Sequence, residues 1–84
     1  MTGQTVDIVG LTYAIIEPLV ENKDDVDISS QENNDGSILV EIRVHEDDVG
    51  KIIGRQGRVI KAIRTLSRAV GSRENIQVEV ELID

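Results

Sequence analysis

The 84-residue sequence has no cysteine, phenylalanine or tryptophan, and only one each of tyrosine, proline and histidine. Without cysteine there is no disulfide framework, thiolate metal ligand or thiol nucleophile, a usage that suits a reducing compartment and predicts a cytoplasmic location. A lone His45 leaves no histidine metal cluster and no Ser-His-Asp triad within one chain. No apolar run approaches the ~20 residues that span a bilayer. Nor does the N-terminus show a basic stretch followed by a continuous apolar one, so no membrane association or leader is expected. With aromatics almost absent, the core must be aliphatic, drawn from 12 Ile, 11 Val and 5 Leu. A chain this short supports one core, and therefore one domain over residues 1–84.

The formal charge is −7, which taken whole would repel a polyanion. Its distribution reads differently. Residues 43–73 hold eight of the nine basic side chains, Arg43, Lys51, Arg55, Arg58, Lys61, Arg64, Arg68 and Arg73, against only Glu46, Asp47 and Asp48. That segment is net basic by 5, between acidic flanks of −8 and −4. A basic strip on an acidic body points to a polyanion site, though a small acidic protein can also carry a helix with a solvated basic face.

Periodicity gives the elements. Residues 5–21 read as an amphipathic helix with Val6, Val9, Tyr13, Ile16 and Val20 on one face, Thr5 as N-cap and Asp7 in the first turn. Pro18 should kink or end it. The period then becomes two. Val26 and Ile28 mark a short strand, Asn33, Asn34, Asp35 and Gly36 a tight reversal, and Ile38, Val40, Ile42 and Val44 a second strand. A short helix opens at His45 with three acids and stops at Gly54. A longer helix covers 58–70, with Val59, Ile63, Leu66 and Val70 as its expected core stripe, joined by Ile60, Ala62 and Ala69, and Gly71 as its terminator. Ile76, Val78, Val80 and Leu82 form the last strand. The order is helix, strand, strand, helix, helix, strand, an α+β arrangement with three helices on one face of a three-stranded sheet. The other face would show Asp27, Ser29, Glu41, Arg43, Gln77, Glu79 and Glu81, acidic and without an aromatic platform for stacking bases.

The segment from Ile52 to Ile63 carries the most information. Gly54 and Gly57, three apart between two helices, let the chain turn without obstruction from Cβ atoms and let a sugar-phosphate backbone approach the main chain. Gly57 starts a helix, so free N–H groups and the positive dipole end face the loop. Arg55 offers charge to phosphate and Gln56 offers hydrogen bonds. Arg58, Lys61, Arg64 and Arg68 continue along one helix face. A plain corner between two helices also uses paired glycines; the aliphatics before the loop and the cations in and after it are what set this one apart.

These residues resemble the KH-domain signature Ile-Ile-Gly-x-x-Gly-x-x-Ile-x-x-Ile, each fixed position of which is met, by Ile52, Ile53, Gly54, Gly57, Ile60 and Ile63. The element order is similar to the type II arrangement, with an N-terminal helix over 5–21 and a KH core over 26–84, and the whole most resembles the small bacterial KH-domain RNA-binding proteins of the KhpA family. The resemblance implies a loop that clamps about four single-stranded nucleotides while an aliphatic groove receives the bases. It would make Gly54, Arg55, Gln56 and Gly57 the backbone clamp and Ile52, Ile53, Ile60 and Ile63 the floor or support of the groove. Arg58, Lys61 and Arg64 complete the expected RNA-binding set. The resemblance further implies a homodimer, or a heterodimer with a larger KhpB-like KH protein. The acidic total and missing aromatics imply weak binding with little base preference.

Other constellations offer less chemistry. His45 at a strand-to-helix junction reads as structural, and Glu46, Asp47 and Asp48 are explained by the helix dipole better than by a cation. Glu79 and Glu81 share a solvated strand face, which offers no setting for acid–base work. The expected function is therefore single-stranded RNA binding as an RNA chaperone or post-transcriptional regulator, without catalysis, cofactor or metal. Single-stranded DNA is an alternative ligand. The rival is a protein-interaction module that keeps the fold for dimerisation and binds RNA little or not at all, compatible with the low pI and with exposed aliphatics such as Leu39 and Ile83.

Overall fold

The computed structural model describes residues 7–83. Helix α1 spans Ile8–Ile16, strand β1 Asp27–Glu32, strand β2 Ile38–Arg43, helix α2 Val49–Ile53, helix α3 Arg58–Arg73 and strand β3 Val78–Leu82. The sheet order is β1-β2-β3, with β1 and β2 antiparallel and β2 and β3 parallel. A parallel pair needs a long crossover, which α2 and α3 supply, and that crossover contains the loop of interest. No described helix is long and apolar enough to cross a membrane.

The side chain of Asp7, not one in the first turn, caps α1 by accepting from the Gly10 N–H at 2.8 Å. The proposed Thr5 cap and Val6 lie outside the described residues. Pro18 acts as expected: the α-helix stops at Ile16 and a 3-10 turn over Glu17–Leu19 follows. Strand β1 runs further than Val26 and Ile28 suggested, reaching Glu32 as an outer strand that is exposed apart from half-buried Ile28. The reversal closes through Asn33, whose carbonyl accepts from the Gly36 N–H, with Gly36 at φ +88°.

The core is aliphatic: Ile8, Ile16, Val20, Val40, Ile42, Ile52, Ile60, Ile63, Val78 and Val80 are buried between the helices and one sheet face. The opposite face carries exposed Asp27, Ser29, Arg43, Gln77, Glu79 and Glu81, with Glu41 half-buried. Tyr13, expected in packing, is 44% exposed.

Helix α3 departs from expectation in phase and length. Ile60, Ile63, Ser67 and Gly71 are buried, whereas Leu66 is 51% exposed and Val59 and Val70 lie at the margins. Two adjacent stripes share Ile63, and the side that faces the sheet is the one with small residues. Gly71 is inside the helix, not after it. A Cβ there would stand 2.5 Å from Val78 Cγ2 and 2.6 Å from the Ile76 carbonyl oxygen, so glycine permits close approach of α3 to β3. The terminator is Asn75, left-handed at φ 58°, with the Ile76 N–H closing onto the Gly71 carbonyl at 2.8 Å.

The three acids before α2 separate in role. Glu46 and Asp47 are exposed, and His45 caps the turn, its Nδ1 accepting from the Asp47 N–H at 3.0 Å. Asp48 is fully buried, which a surface dipole role did not anticipate. Its carboxylate accepts from the backbone N–H of Glu21 at 3.2 Å and of Asn22 at 3.0 Å, from Asn22 Nδ2 at 3.1 Å and from Lys51 Nζ at 3.1 Å. The Asn22 N–H above all, helped by the other donors, holds its pKa far below the carboxylate range despite desolvation. The hydrogen bond to the Asp48 carboxylate in turn raises the pKa of Lys51. Because the folded pKa is depressed, this contribution is fully present above the ordinary carboxylate pKa of ~4 and declines as pH falls below it. Asp48→Asn should therefore lower Tm at neutral pH by several degrees. The gap to the parent should narrow in thermal melts run from about pH 4 downward.

Candidate nucleic-acid interface

Main-chain geometry defines the loop. At the end of α2 the Gly54 N–H still donates to the Gly50 carbonyl at 2.9 Å, but Gly54 takes φ 77°, ψ 170°, a region essentially reserved for glycine. A 3-10 turn over Arg55–Gly57 follows, closed by the Gly57 N–H on the Gly54 carbonyl at 3.1 Å. Gln56 at φ 57° and Gly57 at φ 74° are both left-handed. No side chain caps the N-terminus of α3. The first amide of α3, the Arg58 N–H, is turned back onto the Arg55 carbonyl, and the positive end of a 16-residue helix faces the loop.

The two glycines do different work. A Cβ on Gly54 would stand 2.8 Å from both Val59 Cβ and Val59 N, so Val59 packs directly beneath it. A Cβ on Gly57 would meet nothing nearer than Lys61 Cε at 3.8 Å. Gly54 is thus required by packing and by backbone, Gly57 by backbone alone, which leaves open space over Gly57 for a ligand's approach.

The expected site residues fall into three groups. Ile53, Arg55, Gln56, Arg58 and Lys61 are exposed at or beside the loop, with Gly54 and Gly57 half-buried among them. Arg58 Nη2 donates to Gln56 Oε1 at 3.0 Å, tying two of these side chains together. Arg64 is half-buried two turns along α3, where its Nε donates to the Val80 carbonyl at 3.2 Å. Ile60, like Ile52 and Ile63, is in the core and supports the loop from below; Ile53, 39% exposed, is the aliphatic that the loop presents. None of Arg55, Arg58, Lys61 and Arg64 is ion-paired with a described acid, whereas Lys51 is held by Asp48 and Glu21, and Arg68 by Glu79.

Beside the loop, a cleft of about 540 Å³ lies between α3 and β3, lined by Lys61, Arg64, Thr65 and Arg68 on the helix and Glu79, Val80 and Glu81 on the strand, with Leu39 of β2. Sequence reasoning missed the strand side of this cleft. Its signal was register: the Ile38 N–H bonds the Gln77 carbonyl and the Ile83 N–H the Ile42 carbonyl. Residues 77, 79, 81 and 83 therefore face β2, while Val78, Val80 and Leu82 turn their main-chain groups to the open edge. Among the described residues no group of three His, Asp or Glu is placed to hold a metal.

A glycine-bounded turn between two helices, on a sheet with a parallel outer strand, is the architecture of a KH domain. The chain belongs to the KhpA/KhpB KH-domain family, whose sequence pattern matches residues 11–82. It is 42% identical over 74 residues to the RNA-binding protein KhpA of Listeria monocytogenes, covering 88% of this chain and 96% of that one. With KhpA of Streptomyces coelicolor identity is 44% over 70 residues, covering 83% and 84% of the two chains. With KhpA of Bacillus subtilis it is 39% over 84 residues and the whole of both chains. Among solved structures the fold is similar to part of Era, crystallised in complex with MgGDPNP and nucleotides 1506–1542 of 16S ribosomal RNA. The match has a TM-score of 0.61 at 18% identity and covers 90% of this chain and 30% of that one.

The different demands on the glycines separate under mutation. Gly54→Ala, strained in backbone and colliding with Val59, should cost about 2 kcal/mol or more. Gly57→Ala, strained in backbone only, should cost about 1 kcal/mol. Urea unfolding midpoints of the two variants measure the difference.

Proposed function

We propose that this chain binds single-stranded RNA at the loop of residues 54–57 and acts as an RNA chaperone or post-transcriptional regulator in the cytoplasm, with no chemistry of its own. The observation that carries this reading is the loop itself. Arg55 and Gln56 project into solvent from a turn with left-handed backbone, beside a helix N-terminus that no side chain caps. Phosphate is what such a turn accommodates, through main-chain amides and a nearby guanidinium. Exposed Ile53 before the turn and the stem of Lys61 beside Gly57 offer apolar surface to a base rather than a stacking platform. Backbone contacts of this kind position a strand without reading its sequence, so base preference is weak, and single-stranded DNA competes to the extent that no 2′-hydroxyl is engaged. The RNA-binding proteins to which the chain is 39–44% identical support the choice of RNA.

A second reading, association through protein contacts, has its own observation. Tyr13, Leu19 and Leu66 are 44%, 39% and 51% exposed. Leu39 and Ile83, the aliphatics first expected to serve this role, are half-buried. We take the two readings together: the chain works as a homodimer or beside a larger KhpB-like KH protein, and a second subunit raises a weak RNA affinity by avidity.

Replacing Arg55 and Gln56 together by Asp should reduce affinity for an oligoribonucleotide more than tenfold, or ~1.4 kcal/mol. Both side chains are exposed, and Asp tolerates the left-handed position 56, so unfolding free energy should change by under ~0.5 kcal/mol. For the parent chain, log K against log salt should fall with a slope of roughly −0.7 per phosphate engaged. Unchanged affinity in the double variant removes the loop as the site, and a flat salt response favours the protein-interaction reading.

A further inference from the structure

The sheet has a second edge, on the side away from β3. Strand β1 lies outermost, and among the described residues nothing pairs with its outer side. The Asn33 N–H bonds the Ser37 carbonyl at 2.8 Å, and that pair continues the β1–β2 register, so Asp27, Ser29 and Gln31 turn their main-chain groups to β2. Ile28, Ser30 and Glu32 therefore turn theirs outward. We propose that this edge docks an extended, Lys- or Arg-bearing segment of a partner protein as a fourth strand, at a site separate from the glycine loop.

Edge strands are commonly blunted by proline, lysine, a bulge or a covering loop. Strand β1 has no proline or lysine, and its register with β2 runs from Asp27 to Glu32 without a bulge. Every residue in it but Ile28 is exposed, and at Ser29 and Ser30 the side chains are too small to screen the main chain. Main-chain hydrogen bonds along such an edge give affinity to an added strand, and the flanking side chains decide which strand is accepted.

Charge selects the occupant. Asp24, Asp25 and Asp27 lie at one end of β1 and Glu32 and Asp35 at the other, all exposed and none ion-paired with a described base. Just before the strand, a cleft of about 410 Å³ lined by Glu21, Asn22, Lys23, Asp24 and Asp25 offers carboxylates to a basic side chain. Lys23 is committed elsewhere, its ammonium donating to the Glu17 and Val20 carbonyls at 3.0 and 2.7 Å. The same acids exclude the other candidates. Phosphates would be repelled. A second copy paired antiparallel about Ser30 would set Asp25 opposite Asp35 at both ends, and like charges so placed are destabilising.

The test titrates the peptide Lys-Val-Arg-Val-Lys-Val into the isotope-labelled parent chain and follows its amide resonances. The Ile28, Ser30 and Glu32 amides should shift and gain protection from hydrogen exchange, while those of residues 54–57 stay in place. The same peptide with every amide N-methylated keeps the charge but loses the main-chain donors, and it should bind several-fold more weakly. So should Glu-Val-Glu-Val-Glu-Val. Ser30→Pro deletes the central outward N–H where an edge strand tolerates proline, and it should abolish the shifts, with Tm showing that the variant folds. If it does not fold, the N-methylated peptide decides. Equal binding of the N-methylated or the acidic peptide overturns the proposal, and so do shifts confined to β3 or the loop, or no shifts at all. Movement of the β1 amides when the parent alone is concentrated gives the edge to a second copy, and movement on adding an oligouridylate gives it to RNA; either overturns the proposal.

Discussion

A chain that passes from one helix into the next within four residues must leave the right-handed region, and here it does so at Gly54, Gln56 and Gly57. Two of these positions are glycine; the third places a glutamine in a conformation that costs a side-chain-bearing residue about 1–2 kcal/mol. Such strain persists only if the structure on either side over-determines it. Before the turn Ile52 is fully buried, and after it Ile60 and Ile63 are 7% and 1% exposed. Val59 closes the arrangement from beneath by filling the place a Cβ on Gly54 would need. The exposed polar surface of the loop is thus a by-product of an aliphatic core holding two helix ends too close for an ordinary connection.

The anchoring of those two helices has different chemistry. Helix α3 is held by shape, because Gly71 lets it lie against Val78 and the Ile76 carbonyl. Helix α2, only five residues long, has too little apolar surface to orient itself. Asp48 compensates by gathering two backbone amides and an amide side chain from the segment after α1, and it also holds Lys51. The N-terminal helix therefore acts on the loop through a buried carboxylate as well as through the core, and the pieces on either side of β1 and β2 form one support.

Element order, the strand hairpin, the glycine turn and the exposed acidic sheet face were legible in the sequence because each has a local cause: period, turn chemistry or the absence of Cβ. What escaped was long-range. Asp48 looks like its neighbours Glu46 and Asp47, and only its phase, four residues before buried Ile52, marks it as inward. Gly71 resembled a helix terminator because glycine commonly is one. A helical frame anchored on Ile60 and Ile63 instead continues through Ser67 to Gly71 and leaves Leu66 outside. Weighting the larger apolar residues put Leu66 in the core and overlooked Ser67 and Gly71, while Ile60 and Ile63 are buried and Val59 and Val70 pack against the core; a helix packed tightly on a sheet needs room more than bulk. The strand edge beside the loop was illegible for another reason: main-chain groups carry no sequence signal until the register is known.

Register also resolves how an acidic protein can meet a polyanion. Charges beyond about 8 Å are largely screened at physiological salt. The molecule measures 36 × 26 × 21 Å, so the potential at the loop is governed by nearby groups rather than by the total of −7. Locally the acids and bases sort themselves. Asp48 and Glu21 hold Lys51, and Glu79 holds Arg68, while Arg55, Arg58, Lys61 and Arg64 stay unpaired with any described acid around the turn. The outer sheet face, with Asp27, Glu79 and Glu81, repels the same ligand. A surface divided in this way would restrict where a polyanion can settle, because a misplaced register or orientation brings phosphate against carboxylate.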